Sequence, residues 1–129
     1  MDQLIGRLEE IRPRLQGTTF DYSKVDGYLD VTCPWGNHFH CTGPVPGFKA
    51  TFGIPYIEFN VPAGTAHGIA HFYEVVLRAR TSAADVFGHP AAIVRAGTDQ
   101  SMVFRETPDK SRGYDGHHVA VYLADFWVI

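Results

Sequence analysis

The chain has 129 residues, of which 45% are hydrophobic and 19% charged, the composition of an ordinary globular domain. Its formal net charge of -3 provides no strong field for nucleic acid or an anionic membrane, so we expect neither as a partner. No apolar run approaches the roughly 20 residues that cross a bilayer, and the acidic N-terminus argues against a signal peptide. We therefore expect a single cytoplasmic domain over residues 1–129.

The first third of the chain predicts one helix and three strands. Apolar residues recur at helical spacing over residues 2–15, with Pro13 near the end and Gly17 at the stop. β-type sequence follows, and the predicted strands are Thr18–Val25, Tyr28–Cys33 and His38–Thr42. Residues 43–47 then form a linker that contains two prolines.

The rest of the chain predicts a strand, a helix, three strands, a loop and a last strand. Ile54–Val61 alternates, and a helix follows over roughly residues 65–79. We expect its apolar stripe to be buried, and the stripe consists of Ile69, Phe72, Tyr73, Val76 and Leu77. The remaining predicted elements are strands at Val86–Phe87, Ala91–Ala96 and Ser101–Glu106, a loop over 107–116 and a strand at His118–Phe126.

This order of elements divides the domain into three parts. Residues 49–111 make a complete βαβββ module, whereas residues 1–48 make an αβββ part-module that lacks its opening strand. Residues 112–129 are a loop and one strand without a partner. An exposed apolar strand is an aggregation hazard, so we expect this last strand to be paired.

Two cysteines, Cys33 and Cys41, bracket the segment CPWGNHFHC. A hairpin in this segment would place them on opposite strands, which makes a disulfide geometrically possible. Because disulfides are rare in a reducing cytosol, free thiols are the expected state.

Three stretches resemble modules of the vicinal oxygen chelate superfamily, which includes glyoxalase I, extradiol dioxygenases, and fosfomycin and bleomycin resistance proteins. GIPYIEFNVPAGTAHGIAHFYEVVL resembles the opening strand and helix of a glyoxalase-like module. CPWGNHFHC resembles the hairpin near a module's end, and GHHVAVYLADF resembles an opening strand.

The resemblance implies an α+β fold in which two βαβββ modules form a cupped mixed sheet with the helices on its convex face. Here the opening strand of the first module would come last in the chain. Residues 117–129 would complete that module in cis, or they would complete a neighbour's module in a strand-swapped homodimer. Alternatively, the sequence is a fragment of a longer parent.

Family enzymes hold a divalent metal on the cupped sheet, with ligands from the opening and final strands. Those positions map onto Tyr56, His118, His40 and Phe104. Only the two histidines are competent ligands, and Glu58 or Glu106 would supply a carboxylate if the site has moved by two residues.

Strand parity predicts a cavity made of aromatic and polar side chains. Its predicted ligand-binding residues are Tyr56, Glu58, Asn60, Phe104, His118 and Tyr122, with Trp35 and His38 at the rim. If the register of the strand SMVFRE slips, Arg105 replaces Phe104 in this set.

Two functions remain open from the sequence. The first is a binding protein that takes an aromatic or hydrophobic small molecule without a tight metal, as bleomycin resistance proteins do. The second is a lyase, isomerase or dioxygenase that uses His118, His40 and Glu58 to hold Zn, Mn, Fe or Ni. No other cofactor is expected, and in both cases we expect a homodimer.

Overall fold

The computed structural model describes residues 1–44, 52–108 and 118–123. The chain separates into two compact units, Met1–Thr51 and Phe52–Ile129, and each is described by itself. The described residues contain two α-helices, a three-stranded sheet and a four-stranded sheet. The predicted α+β class is therefore confirmed.

The first unit begins with helix α1 at Asp2–Ile11, which a 3-10 turn at Arg12–Leu15 extends. The expected single helix over 2–15 is thus in two parts. Pro13 explains the break, because its ring cannot donate a backbone hydrogen bond and clashes with the preceding turn of an α-helix. Strands β1 (Asp21–Val25), β2 (Tyr28–Thr32) and β3 (His38–Thr42) follow as an antiparallel sheet in the order β1-β2-β3.

The core of the first unit lies between α1 and one face of this sheet. Leu8 of α1 contacts Leu29 and Val31 of β2, and Leu29 is fully buried. The partly buried residues around this cluster are Leu4, Ile5, Phe20, Tyr22 and Cys41. Burial of a leucine side chain contributes about 2 kcal/mol, so this small cluster is the main apolar anchor of the unit.

The second unit runs strand, helix, strand, strand, strand. Its elements are β4 (Tyr56–Pro62), α2 (Ala66–Val75), β5 (Thr81–Val86), β6 (His89–Arg95) and β7 (Ser101–Thr107). The sheet order is β4-β7-β6-β5, with β4 and β7 parallel and the other pairs antiparallel. Helix α2 packs on one face of this sheet, over β5, β6 and β7.

The buried side of α2 differs from the predicted stripe. Ala66 is buried and Tyr73 is half-buried, but Phe72 is 51% exposed and Val76 is 38% exposed. The expectation that the whole stripe is buried is therefore wrong for Phe72 and Val76. Ala66, Ala70 and Tyr73 recur at helical spacing along the less exposed side of α2, and Phe72 lies beside that side rather than on it.

Strand β5 was predicted as the short segment Val86–Phe87, but it covers Thr81–Val86, and Phe87 lies in the turn that follows. The segment TSAADV contains two alanines, a serine and an aspartate, so local β-propensity is weak. All six residues of β5 pair with β6, and this pairing stabilises the strand in spite of its composition.

The last described segment, residues 118–123, has no helix or strand assignment, whereas the sequence predicted a strand over His118–Phe126. Residues 124–126 of that prediction lie outside the described residues, as do most of the predicted linker over 43–47 and loop over 107–116. Among the helices in the described part of the chain, none is long and apolar enough to cross a membrane.

Candidate functional site

The four-stranded sheet has one face covered by α2 and one face directed away from it. Phe59 of β4 and Phe104 of β7 stack at 5.1 Å between ring centroids, and Phe104 also contacts Tyr73 of α2 at 5.4 Å. These rings define the helix-covered face. Because side chains alternate along a strand, Glu58 and Arg105 belong to the opposite face, which we call the open face.

Phe104 was predicted to line the cavity with Tyr56 and Glu58, but it lies on the helix-covered face. The parallel register pairs Phe59 with Phe104 and Asn60 with Arg105. Residues paired in this way project to the same face, so Arg105 accompanies Asn60 on the open face. The alternative register, in which Arg105 replaces Phe104, is the one that the structure has.

Arg105 joins the polar groups of the open face. Its Nε donates to Oε1 of Glu58 at 2.7 Å, and its Nη2 donates to Oδ1 of Asn60 at 3.0 Å. The side chains of Glu58 and Arg105 are only 24% and 20% exposed. The charge-assisted bond holds both side chains in place, because separating them at this depth would leave two poorly hydrated charges.

A shallow depression of about 210 Å³ lies beside this ion pair and is mostly apolar. Its lining residues are Tyr56, Glu58, Val86, Phe87 and Val103. β4 and β5 are the two edge strands of the sheet, yet both contribute to the lining. Side chains from both edges of the sheet therefore reach the same depression, and Val103, on an inner strand between them, is only 7% exposed although it faces away from α2.

The sequence did not identify Val86, Phe87 or Val103 as site residues. The local signal for Phe87 was weak, because the segment TSAADV before it has little β-propensity and Gly88 is the only turn-type residue of the pair. Val103 lies in SMVFRE, where apolar residues stand at three successive positions. Such a run does not show which side chain faces which side.

The predicted site residues of the first unit lie on the face of its sheet that α1 leaves uncovered. The His40 ring contacts the Tyr28 ring in a tilted arrangement, with 4.8 Å between the ring centroids, and its Nε2 lies 3.8 Å from Oδ1 of Asp30. His38 Nδ1 lies 3.3 Å from the Thr32 hydroxyl. Trp35, in the turn between β2 and β3, is 85% exposed.

The predicted metal ligands are divided between the units: His40 belongs to the first, and Glu58 and His118 belong to the second. Within residues 1–44, 52–108 and 118–123, no three His, Cys, Asp or Glu side chains are grouped as metal ligands. Glu58 already accepts from Arg105. His118 and Tyr122 are exposed, the latter by 90%.

Glu106, considered as an alternative metal ligand, contacts the start of α2. Its Oε1 accepts from the backbone N–H of Ala66 at 3.0 Å, at the start of α2. Backbone N–H groups of Gly64, Ala66 and Thr65 lower the pKa of the Glu106 carboxyl, although burial opposes the shift. The carboxylate thus satisfies N–H groups that an α-helix leaves without internal partners.

Both cysteines are free thiols, as expected. Cys41 pairs with Leu29 across the sheet, whereas Cys33 lies beyond Thr32 near the turn. Four residues of strand separate the two positions by about 13 Å, well past the ~7 Å limit for a disulfide.

The two thiols have opposite environments. Burial raises the pKa of the Cys33 thiol, but hydrogen bonds from the backbone of Trp35, Asn37 and Gly36 lower it, and the net direction is down. Burial, together with the charge of Asp30, raises the pKa of the Cys41 thiol.

Comparisons of the chain with protein-family models, with curated proteins and with solved structures find no match.

Proposed function

We propose that the chain is a small-molecule-binding protein of the glyoxalase and bleomycin-resistance type, which takes an aromatic or hydrophobic ligand without a tight metal. The observation that carries this proposal is the depression on the open face, where apolar side chains lie beside the Glu58–Arg105 ion pair. Small-ligand sites commonly combine an apolar lining with a few fixed polar groups.

The organisation of the second unit supports the proposal. A strand, a helix and three strands in this order leave one face of the described sheet without a helix, and side chains of both edge strands line the depression there. The same order of elements resembles the βαβββ module inferred from the sequence. A sheet with one helix-free face provides a rigid surface on which to hold a ligand.

The proposal includes completion of the first module by residues 117–129, either in cis or from the partner in a homodimer. The exposed apolar side chains of the described part of this segment support it: Val119 and Val121 are 45% and 46% exposed. Apolar residues at alternate positions suit a strand with one covered face, and pairing would cover them.

NMR titration of ¹⁵N-labelled protein tests the binding proposal. The titrants are single-ring aromatic compounds in neutral, anionic and cationic forms. We expect at least one of them to shift the amide signals of Glu58, Val103 and Arg105. Arg105→Gln should weaken that binding, because it removes the partner that holds Glu58 at the depression. Arg95→Gln should not, because Arg95 lies in the same sheet but bonds Ser101 and Thr98 instead of a lining residue.

Two outcomes would contradict the proposal. One is a set of titrations in which no compound shifts these amides. The other is stoichiometric Zn, Mn, Fe or Ni in protein purified without chelators, which would favour the metal-dependent enzyme instead.

A further inference from the structure

The turn between β5 and β6 has an unusual residue at a restrictive position. Val86 pairs with His89, so the turn consists of Phe87 and Gly88 alone. Both residues have positive φ, 53° for Phe87 and 79° for Gly88. This is the backbone pattern of a type I′ hairpin turn, whose first position strongly prefers Asn, Asp or Gly.

A phenylalanine is a poor choice for this backbone. The left-handed region brings Cβ close to the neighbouring carbonyl oxygen, and bulky residues rarely occupy it. Burial of the ring does not offset the cost, because Phe87 is 75% exposed. The turn itself is well anchored, since the Gly88 N–H donates to Oδ1 of Asp85 at 2.8 Å.

The position of the ring indicates what it does. Phe87 lines the depression on the open face together with Tyr56 and Glu58 of the opposite edge strand. The strained turn therefore presents an exposed aromatic ring at the border of the proposed binding site. Strain of this kind persists at ligand-contacting positions, where the side chain has a role other than folding.

The charges of the site restrict the ligand further. Glu58 is the one charged residue among those that line the depression, and its partner Arg105 neutralises it. A charged ligand would lose hydration here without gaining an unpaired counterion, which is unfavourable. The hydrogen bonds of the pair use one oxygen of Glu58 and two donors of Arg105. The second oxygen of Glu58 can accept from a ligand, and the remaining N–H groups of Arg105, which bonds this lining residue, can donate to one.

We propose that Phe87 stacks on the ligand, and that the site selects uncharged single-ring aromatic molecules carrying both a hydrogen-bond donor and an acceptor, as in a primary carboxamide. The inference rests on the proposed function, because it specifies the ligand class for the same depression.

Four probes of similar size test the selection: benzamide, benzoate, benzylamine and cyclohexanecarboxamide. In NMR titrations that follow the Val103 amide, benzamide should bind about fivefold more tightly than each of the others. Benzoate and benzylamine add a charge, and cyclohexanecarboxamide removes the aromatic ring. An aromatic pair contributes about 1 kcal/mol beyond buried area, which corresponds to a fivefold difference.

Phe87→Asn separates a binding role from a structural one. Asparagine suits the type I′ turn, so the melting temperature should rise by about 2–6 °C. Benzamide binding should weaken about fivefold more than cyclohexanecarboxamide binding, because both ligands lose apolar contact with the ring but only benzamide loses aromatic stacking. Phe52→Asn is the matched control, because Phe52 is 92% exposed but does not line the depression, and its benzamide affinity should equal that of the unmodified protein.

Tighter binding of benzoate or benzylamine than of benzamide would overturn the selection proposed here, and unchanged benzamide affinity in Phe87→Asn would overturn the role of Phe87. Both results would leave the binding proposal intact, since a ligand would still occupy the open face. If no aromatic compound of any charge shifts the Val103 amide, the proposed function itself fails.

Discussion

Arg105 Nε donates to Oε1 of Glu58 at 2.7 Å, although the two residues lie 47 positions apart in the chain. The bond crosses the parallel pair of β4 and β7, which no short connection joins. It therefore ties an edge strand of the sheet to its neighbour and also places a neutral ion pair beside the depression.

The ion pair should contribute to stability as a coupled unit. Arg105→Gln is expected to lower the free energy of unfolding by about 1–3 kcal/mol, since the pair is less exposed than a surface salt bridge but not fully buried. A double-mutant cycle with Glu58→Gln, followed by chemical denaturation, should give a favourable coupling energy. Arg95→Gln is the control, and an equal loss of stability there would show that the Glu58 contact is not special.

The Glu106 contact predicts a stability change in acid. The folded-state pKa of this carboxyl is lowered by backbone N–H groups at the start of α2, so its contribution is fully present above the ordinary pKa. The contribution is lost as the pH falls through the lowered pKa. Glu106→Gln should therefore reduce the melting temperature at neutral pH, and the difference should shrink as the pH falls through this range.

Glu74→Gln provides the control for that experiment, because Glu74 is exposed near the other end of the same helix. Its melting temperature should follow that of the unmodified protein over the whole range. A Glu106→Gln difference that is independent of pH would show that the carboxylate charge does not stabilise the helix.

The observed packing of α2 predicts which of two substitutions lowers the free energy of unfolding more. Phe72 is 51% exposed, so Phe72→Ala should cost about 1 kcal/mol, well below the 3–5 kcal/mol of an enclosed ring. Tyr73 contacts Phe104 and is less exposed, so Tyr73→Ala should cost more. Urea denaturation of both variants checks the order, and a larger loss in Phe72→Ala would contradict this packing.

The opposite pKa directions of the two thiols predict different reactivity. Cys33 should react with iodoacetamide faster than Cys41, because the thiolate is the nucleophile. As the pH is raised, the reaction rate of Cys33 should begin to increase at a lower pH than that of Cys41. Mass spectrometry of Cys33→Ser and Cys41→Ser proteins isolates each rate. Equal pH profiles would mean that the turn around Trp35 does not stabilise the Cys33 thiolate.

The proposed homodimer predicts a mass. Light scattering at micromolar concentration should give twice the mass of the 14.3 kDa chain. Val121→Lys places a charge on an exposed apolar position of the segment expected to pair, so it should shift the protein toward the monomer. Val75→Lys, on the exposed side of α2, should not. A monomer mass for the unmodified protein would refute the dimer.

Local sequence was sufficient for the class of fold and for most of the elements. Helical spacing predicted both helices, and alternation predicted strands at β1–β4, because these signals come from neighbouring residues and need no distant contact. The prediction weakened at β5, where alanines carry little local signal, and at Phe87-Gly88, where a bulky side chain hid a two-residue turn.

The candidate site could be predicted only in part. Tyr56, Glu58 and Asn60 follow from the regular alternation of β4, and Tyr56 and Glu58 do line the depression. Arg105 was an alternative rather than the first expectation, because SMVFRE has apolar residues on both faces. Periodicity alone therefore could not decide whether Phe104 or Arg105 faces away from the helix.

The sequence by itself determined that this is an α+β protein and which face of β4 is polar, and it favoured free thiols, which the register of β2 and β3 then decided. The tertiary structure decided which side chains of β7 face away from the helix and which side of α2 is buried. It also decided that side chains from both edge strands line one depression. The physical reason is the range of the interactions involved. Alternation and helical spacing act over a few residues, whereas strand register is set by pairing between segments more than 40 residues apart, such as Asn60 with Arg105.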